Sequence, residues 1–248
     1  MDRVYRKRMS LVGFEQCQIQ YLDTDLWIGL PGTNNNIEEI SGYAEVVIKE
    51  IRNQLDVYIE KNKEFKTSHV PLNIISQNNE IVNKMAVVAT RAGVGPMASV
   101  AGAIAETVGR NIMQKFSFKE IVVENGGDIF MQVEREVNIA VYAGGSPLSD
   151  IVGVTIPEGS GSFGICTSSA TIGHSFSYGK ADAVMVIASD CALADAYATL
   201  LCNKVQSEND ISSVIEKVNQ IEDIISCVII MNDKMGITGR FELKLFRK

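Results

Sequence analysis

Asp195 and Thr199 lie four residues apart in Ala192-Leu193-Ala194-Asp195-Ala196-Tyr197-Ala198-Thr199-Leu200-Leu201, an otherwise nearly apolar run. On a helix that spacing sets both side chains on one face, about one turn apart. A carboxylate among alanines and leucines is costly to bury unless a cation or hydrogen-bond donors meet it. One carboxylate and one hydroxyl make a hard oxygen pair that can hold a magnesium ion, whose remaining positions go to water and phosphate. The structural alternative is that Thr199 bonds back to a helix carbonyl while Asp195 pairs with a nearby Lys or Arg. The chain has only His69 and His174, and its five cysteines are scattered without a Cys-x-x-Cys pair. A metal here would therefore be held by oxygen.

Three further stretches can carry chemistry. Gly93-Val94-Gly95-Pro96 is a break, followed by the small residues Met97 to Ala105. Proline beside a first turn marks a helix N-terminus, whose free N–H groups can face an anion. Gly95, Ala98 and Ser99 are thus candidate cofactor contacts, the alternative being a tight helix-on-sheet contact. Asn125-Gly126-Gly127-Asp128 closes the strand Glu120 to Glu124, and two glycines there permit close approach of a ligand or a plain hairpin into Ile129 to Val133. Asp128 either orients a reacting hydroxyl or water, or caps the turn. From Pro157 to Ser177 the chain is rich in Gly, Ser and Thr. That segment contains Ser168 and Ser169, which read as the end of a strand, with Ser169 also a candidate cofactor contact. It also contains His174, which suits proton transfer or serves as a hydrogen-bonded structural residue. Lys180 and Asp182 form a local ion pair or contact phosphate.

The elements that must position these groups follow from periodicity. Phe14 to Tyr21 alternates as a strand, and Asp25 to Ile28 continues to a turn at Pro31-Gly32. Residues 38–62 read as a long amphipathic helix with Ile40, Ala44, Val47, Ile48, Ile51, Leu55 and Ile59 on one face, then a polar connector from Asn62 to Thr67. A second helix is predicted from Asn79 to Thr90, and another from Asn209 to Ile221. Val137 to Tyr142, Ala183 to Ser189, Ser226 to Met231 and Gly239 to Phe246 read as strands. The pattern predicts an α+β protein of mixed or antiparallel sheets packed with helices, as a single domain over residues 1–248.

Composition narrows the partners. With 248 residues, 46% hydrophobic and 21% charged, the chain is long enough for a sizeable core. A net charge of −7 argues against nucleic acid or an anionic membrane as partner. The basic cluster Arg3, Arg6, Lys7, Arg8 is short and reads as the solvated edge of a strand. No apolar run reaches the roughly 18 residues that span a bilayer. Without a basic-then-apolar leader, and with unpaired cysteines, a cytoplasmic location is expected. The apolar closing strands are a candidate homodimer surface or simply finish a sheet.

Taken in order, Gly95-Pro96-Met97-Ala98-Ser99-Val100-Ala101-Gly102, Asn125-Gly126-Gly127-Asp128, Thr167-Ser168-Ser169 through Gly173-His174-Ser175, and Ala194-Asp195 through Thr199 resemble an uncharacterised ApbE-like family of archaea and bacteria. The resemblance covers roughly residues 14–205. More remotely the chain looks like the ApbE flavin transferases, which cleave FAD, place FMN on a Thr or Ser of an acceptor protein and release AMP. That resemblance implies the ApbE-like fold, Asp195 and Thr199 as magnesium ligands, Gly126, Gly127 and Asp128 as the strand-end Gly-Gly-Asp, and His174 as the histidine after a Ser/Gly-rich strand. It also implies FAD, or another nucleotide with a pyrophosphate, as ligand. Two elements depart from the transferases. Their Lys-Gly-Tyr is replaced by Ser99-Val100-Ala101-Gly102, and their Asp-Pro-x-Thr-Gly loop by Ser175-Phe176-Ser177-Tyr178-Gly179. The expectation is a magnesium-dependent flavin transferase or FAD-cleaving enzyme. The alternatives are a non-catalytic flavin or nucleotide binder of the same fold, or an enzyme on a different phosphorylated small molecule.

Overall fold

The computed structural model describes residues 6, 12–32, 36–74, 79–172 and 177–247, so His174 and the rest of the Gly-His-Ser element lie outside the described residues. The chain opens with the hairpin β1 (Phe14–Tyr21) and β2 (Thr24–Pro31). Then come α1 (Ile37–Lys61), α2 (Glu64–Thr67), α3 (Glu80–Ala92), a 3-10 turn at Pro96–Ser99, and α4 (Val100–Phe116). Five strands follow: β3 (Ile121–Asn125), β4 (Asp128–Val133), β5 (Val137–Ala140), β6 (Val152–Ile156) and β7 (Gly161–Ser168). Last come β8 (Ala183–Ala188), α5 (Cys191–Lys204), α6 (Asp210–Val218), β9 (Ile224–Met231), β10 (Lys234–Gly239) and β11 (Glu242–Leu245).

Helix ends follow their capping residues. Asn36 and Asn79 accept main-chain N–H bonds from Glu39 and Val82, three residues on. Gly93 closes α3 in the left-handed conformation at φ 75°, which glycine adopts without strain. The buried stripe of α1 is Ile40, Ala44, Val47, Ile48, Ile51 and Leu55, as its periodicity requires.

Eight antiparallel strands form one sheet in the order β1-β2-β3-β4-β7-β8-β9-β10, and a second sheet runs β11-β6-β5. The helices cover one face of the large sheet and the small sheet covers the other, so the protein is α+β in three layers. Successive residues of β8 alternate between two cores. Val184, Val186 and Ala188 pack towards the helices, while Ala183, Met185 and Ile187 join Val154, Phe163 and Phe241 on the opposite side. That double burial explains why β8 reads as an unbroken apolar run instead of alternating as a one-sided antiparallel strand does.

Two sequence expectations need correction and one is narrowed. The polar connector contains α2, whose Phe65 is fully buried and meets the Tyr58 ring edge-on. Of the closing strands, Ser226 to Met231 lies inside the large sheet between β8 and β10, covered on both faces, and so finishes a sheet, whereas β11 is exposed. Arg6 is buried against carboxylates and is no solvated edge. Strands β6 and β10 were not evident from the sequence, because Val152–Ile156 and Lys234–Gly239 are short and broken by Gly153 and Gly236. Among the described residues no single helix is long and apolar enough to cross a membrane.

Candidate functional site

Helix α5 begins with Asp190, whose side chain accepts the Leu193 N–H at 2.9 Å. Every residue from Cys191 to Ala198 is buried. The helix lies unusually close to its neighbours because two glycines leave room. A Cβ on Gly102 would stand 2.4 Å from the Cys191 carbonyl oxygen and 3.0 Å from Asp195 Cβ. A Cβ on Gly164 would stand 2.2 Å from Cys191 Cα. The main chains of α4, α5 and β7 therefore converge around Cys191 and Asp195.

Asp195 Oδ2 accepts the Gly102 N–H at 3.0 Å, and the Ala101 N–H also bonds this carboxylate. These are the opening amides of α4, where the helix dipole favours negative charge. The small-residue helix start does receive an anion, and that anion is the protein's own Asp195. Neither sequence alternative for Asp195 foresaw this partner. Burial nonetheless pushes the Asp195 carboxyl up to about 7, against the opposing pull of the two amides.

Opposite α5, Asn125 and Asp128 pair across a two-residue turn in which Gly126 and Gly127 have φ of 71° and 107°. Positive φ at both positions is the hairpin geometry that glycine favours. Asn125 Nδ2 donates to the Ala101 carbonyl at 3.1 Å, joining this turn to the start of α4. Glu124, fully buried, accepts the Gly127 N–H at 2.7 Å and Arg6 Nε at 2.5 Å. Arg6 also donates to the Asp25 carboxylate and carbonyl at 2.8 and 2.7 Å. Asp128 is buried, and its carboxyl is held well above the ordinary range, first by desolvation and then by the neighbouring negative charges of Asp195 and Glu124. Two buried aspartates, with Asp195 adding to the cost of ionising Asp128, form a setting a divalent cation would relieve. With the Thr199 hydroxyl, their donor set is all oxygen, which fits magnesium.

Thr199 Oγ1 lies 3.3 Å from Ser168 Oγ and is partly buried. Ser168 stands two residues beyond Cys166 on β7, and Cys166 is in register with Asp128. Thr199 is thus on the same face of α5 as Asp195 and looks at the strand that pairs with Asp128. Asp195 and the Asn125–Asp128 turn thus meet at the start of α4, while Thr199 faces Ser168 on the strand beside Asp128. The remaining candidates sit differently. Ala98 is half-buried in the 3-10 turn, and the buried Ser99 donates its hydroxyl to the Pro96 carbonyl at 2.9 Å. Gly95 lies against the Ser68 carbonyl, which a Cβ would meet at 1.8 Å. Ser169 Oγ accepts the N–H groups of Thr171 and Ile172, both at 3.0 Å. Asp182 accepts from Thr171 Oγ1 and the Asn232 N–H, while Lys180 is exposed.

Sequence reading missed the polar supports behind the site. Glu106, 2% exposed, accepts the Cys191 N–H at 2.9 Å and Lys84 Nζ at 2.8 Å, while its other oxygen takes Arg110 Nε at 2.8 Å. Lys84 also reaches Asp190 at 3.0 Å, so α3, α4 and α5 meet on one charge cluster. A glutamate in the otherwise small and apolar start of α4, four residues before an arginine, was the available signal. Arg6 and Glu124 left no comparable trace, since 118 residues separate them.

Comparison with known proteins adds a family and a fold. The family described as AbpE bacteria matches residues 7–225. The UPF0280 protein MJ1526 of Methanocaldococcus jannaschii is 42% identical over 202 residues, covering 79% of this chain and 81% of that protein. A UPF0280 protein of Methanococcus aeolicus is 38% identical over 221 residues, covering 86% and 89%. Among solved structures, the apo flavinyl transferase ApbE of Pseudomonas stutzeri aligns with a TM-score of 0.58 at 12% identity, over 93% of this chain and 96% of that one. The flavin transferase ApbE of Vibrio cholerae gives 0.53 at 14% identity, over 91% and 97%. At such low identity the likeness to the solved structures is one of fold.

Proposed function

Because the chain belongs to the AbpE bacteria family, with the archaeal UPF0280 proteins among its relatives, we propose that it is a magnesium-dependent enzyme acting on the pyrophosphate bond of a flavin nucleotide. The chemistry is that of the flavin transferases sharing its fold: an acceptor hydroxyl attacks the FMN phosphorus of FAD, the bond to the second phosphate breaks, and AMP leaves. The observation that carries this reading is the buried pair Asp128 and Asp195, facing a glycine turn and the opening amides of α4.

Asp195 and Thr199 would hold the ion, with the Asp128 carboxyl beside them. Magnesium bound there supplies charge neutralisation at phosphate oxygens as the bridging bond breaks. Once ionised, the Asp128 carboxylate, a stronger base than an ordinary aspartate because of its burial, would take the proton of the attacking hydroxyl. The Gly126-Gly127 turn lets main chain approach the phosphates. An acceptor protein is then a required partner.

Purified protein incubated with FAD and magnesium should release AMP, and a co-expressed acceptor should gain covalent flavin. Absence of AMP release at any magnesium concentration, from protein that binds FAD, would favour a second reading. In that reading the fold binds a nucleotide without turning it over. The commitment of Asp195 Oδ2 to the Gly102 amide is the observation favouring it.

A further inference from the structure

The start of α5 is fastened to α4 by a second link that mirrors the one at Asp195. Gly102 and Glu106 are four residues apart on α4, and Cys191 and Asp195 are four apart on α5, so each pair shares one helix face. Asp195 of α5 accepts the Gly102 N–H of α4 at 3.0 Å, and Glu106 of α4 accepts the Cys191 N–H of α5 at 2.9 Å. The order of partners is antiparallel. Each helix therefore places a carboxylate against an opening amide of the other, where the helix dipole favours negative charge.

The two carboxylates differ in what else meets them. Glu106 takes Lys84 Nζ at 2.8 Å and Arg110, whose Nε and Nη2 both lie at 2.8 Å. Lys84 continues to Asp190, the cap of α5, at 3.0 Å. Asp195 takes the amides of Ala101 and Gly102, and among the described residues no Lys or Arg bonds it. The Glu106 half of the arrangement is balanced by two bases, whereas the Asp195 half has none.

The two links are tied mechanically. Cys191 is fully buried, so without Glu106 its N–H would lose its acceptor out of reach of water. Gly102 lies so near the Cys191 carbonyl that the first turn of α5 cannot shift without moving against the amides that hold Asp195.

We propose that Glu106 is a positioning residue for a divalent cation at Asp195: by holding the Cys191 N–H, it keeps Asp195 on the opening amides of α4 in the place where the ion binds. The ion rests on the reading above; the effect of Glu106 on the amides does not.

The test compares the full chain with Glu106→Ala and Glu106→Gln in two measurements. Gln keeps an oxygen for the Cys191 N–H, and Arg110, half exposed, can turn to water. The first measurement is hydrogen exchange of the Ala101 and Gly102 amides in metal-free protein, relative to the amides of β8. The second is calorimetric binding of magnesium with inorganic pyrophosphate. Glu106→Ala should speed exchange at both amides and weaken magnesium binding, each by about tenfold or more. Glu106→Gln should stay close to the parent in both. Where Glu106→Ala does not fold, Glu106→Asp, one methylene short of Cys191, is set against Gln in the same way. Unchanged exchange in the shortened variant would overturn the proposal. So would unchanged magnesium binding beside faster exchange, which makes Glu106 a support of the fold alone, or equal harm from Gln, which reports the balance of charge with Lys84 and Arg110. A parent that binds no magnesium defeats the ion and with it the positioning role, while faster exchange would still show the link between the helices.

Discussion

At the level of single side chains, the electrical balance of the site rests on carboxylates taken out of water. Burial raises the Asp195 carboxyl to about 7 and carries Asp128 in the same direction. An unfolded aspartate ionises near 3.8. Between these values the folded chain holds more protons than the unfolded one, so stability falls as pH rises. Metal-free protein should therefore lose melting temperature steadily from about pH 4 to about pH 7. Magnesium should restore part of the loss at the upper end. Asp195→Asn should flatten that profile and weaken magnesium-dependent pyrophosphate binding by at least about tenfold, the loss of one charged contact. A profile as steep as the parent's would show that Asp195 does not titrate there. Arg6→Met withdraws the guanidinium from the buried Glu124 and should cost about 3 kcal/mol in urea unfolding. Of these residues, Asp195, Thr199, Asp128 and the glycine turn were legible because an isolated polar group in an apolar run, or a Gly-Gly pair, is visible locally. Arg6, Glu124 and Glu106 act through partners far along the chain, which no local pattern reveals.

Among the elements, the approach of α5 to α4 and β7 is the feature that makes the site. Gly102→Ala would force its Cβ against the Cys191 carbonyl and Asp195. The expected result is a destabilisation of about 1–3 kcal/mol from overpacking, with weaker magnesium binding than the loss of stability alone explains. Gly42, in α1 with open space around it, is the control: Gly42→Ala should leave magnesium binding unchanged. Helices α1, α3 and α5 were legible because their caps and apolar stripes agree with their packing. The 3-10 turn at Pro96–Ser99 was read as the start of the following helix, since proline marks a first turn of either kind. Helix α2 was hidden by charged neighbours around its single buried Phe65.

Across the whole molecule, two separate cores share one sheet, and only the helix-side core touches the site. Phe241 closes the other core, edge-on to Phe163 at 5.5 Å. Phe241→Ala should cost about 3 kcal/mol in unfolding while leaving magnesium and nucleotide affinity intact at temperatures where the variant is folded. A parallel loss of affinity would show that the two layers are coupled through the sheet. The α+β class was legible from the mixture of strand clusters and helices. The small sheet was not, because β11 reaches back from the end of the chain to pair with β6. Such non-local pairing is set by topology and leaves no periodicity to read.

The tie between Arg6 and Glu124 also bears on the order of events during synthesis. Arg6 leaves the ribosome 118 positions ahead of its buried acidic partner. Until then the guanidinium has no buried place to go, and the glycine hairpin that Glu124 braces has not been made. The glycine-turn end of the candidate site is accordingly fastened late, by a residue translated well before it.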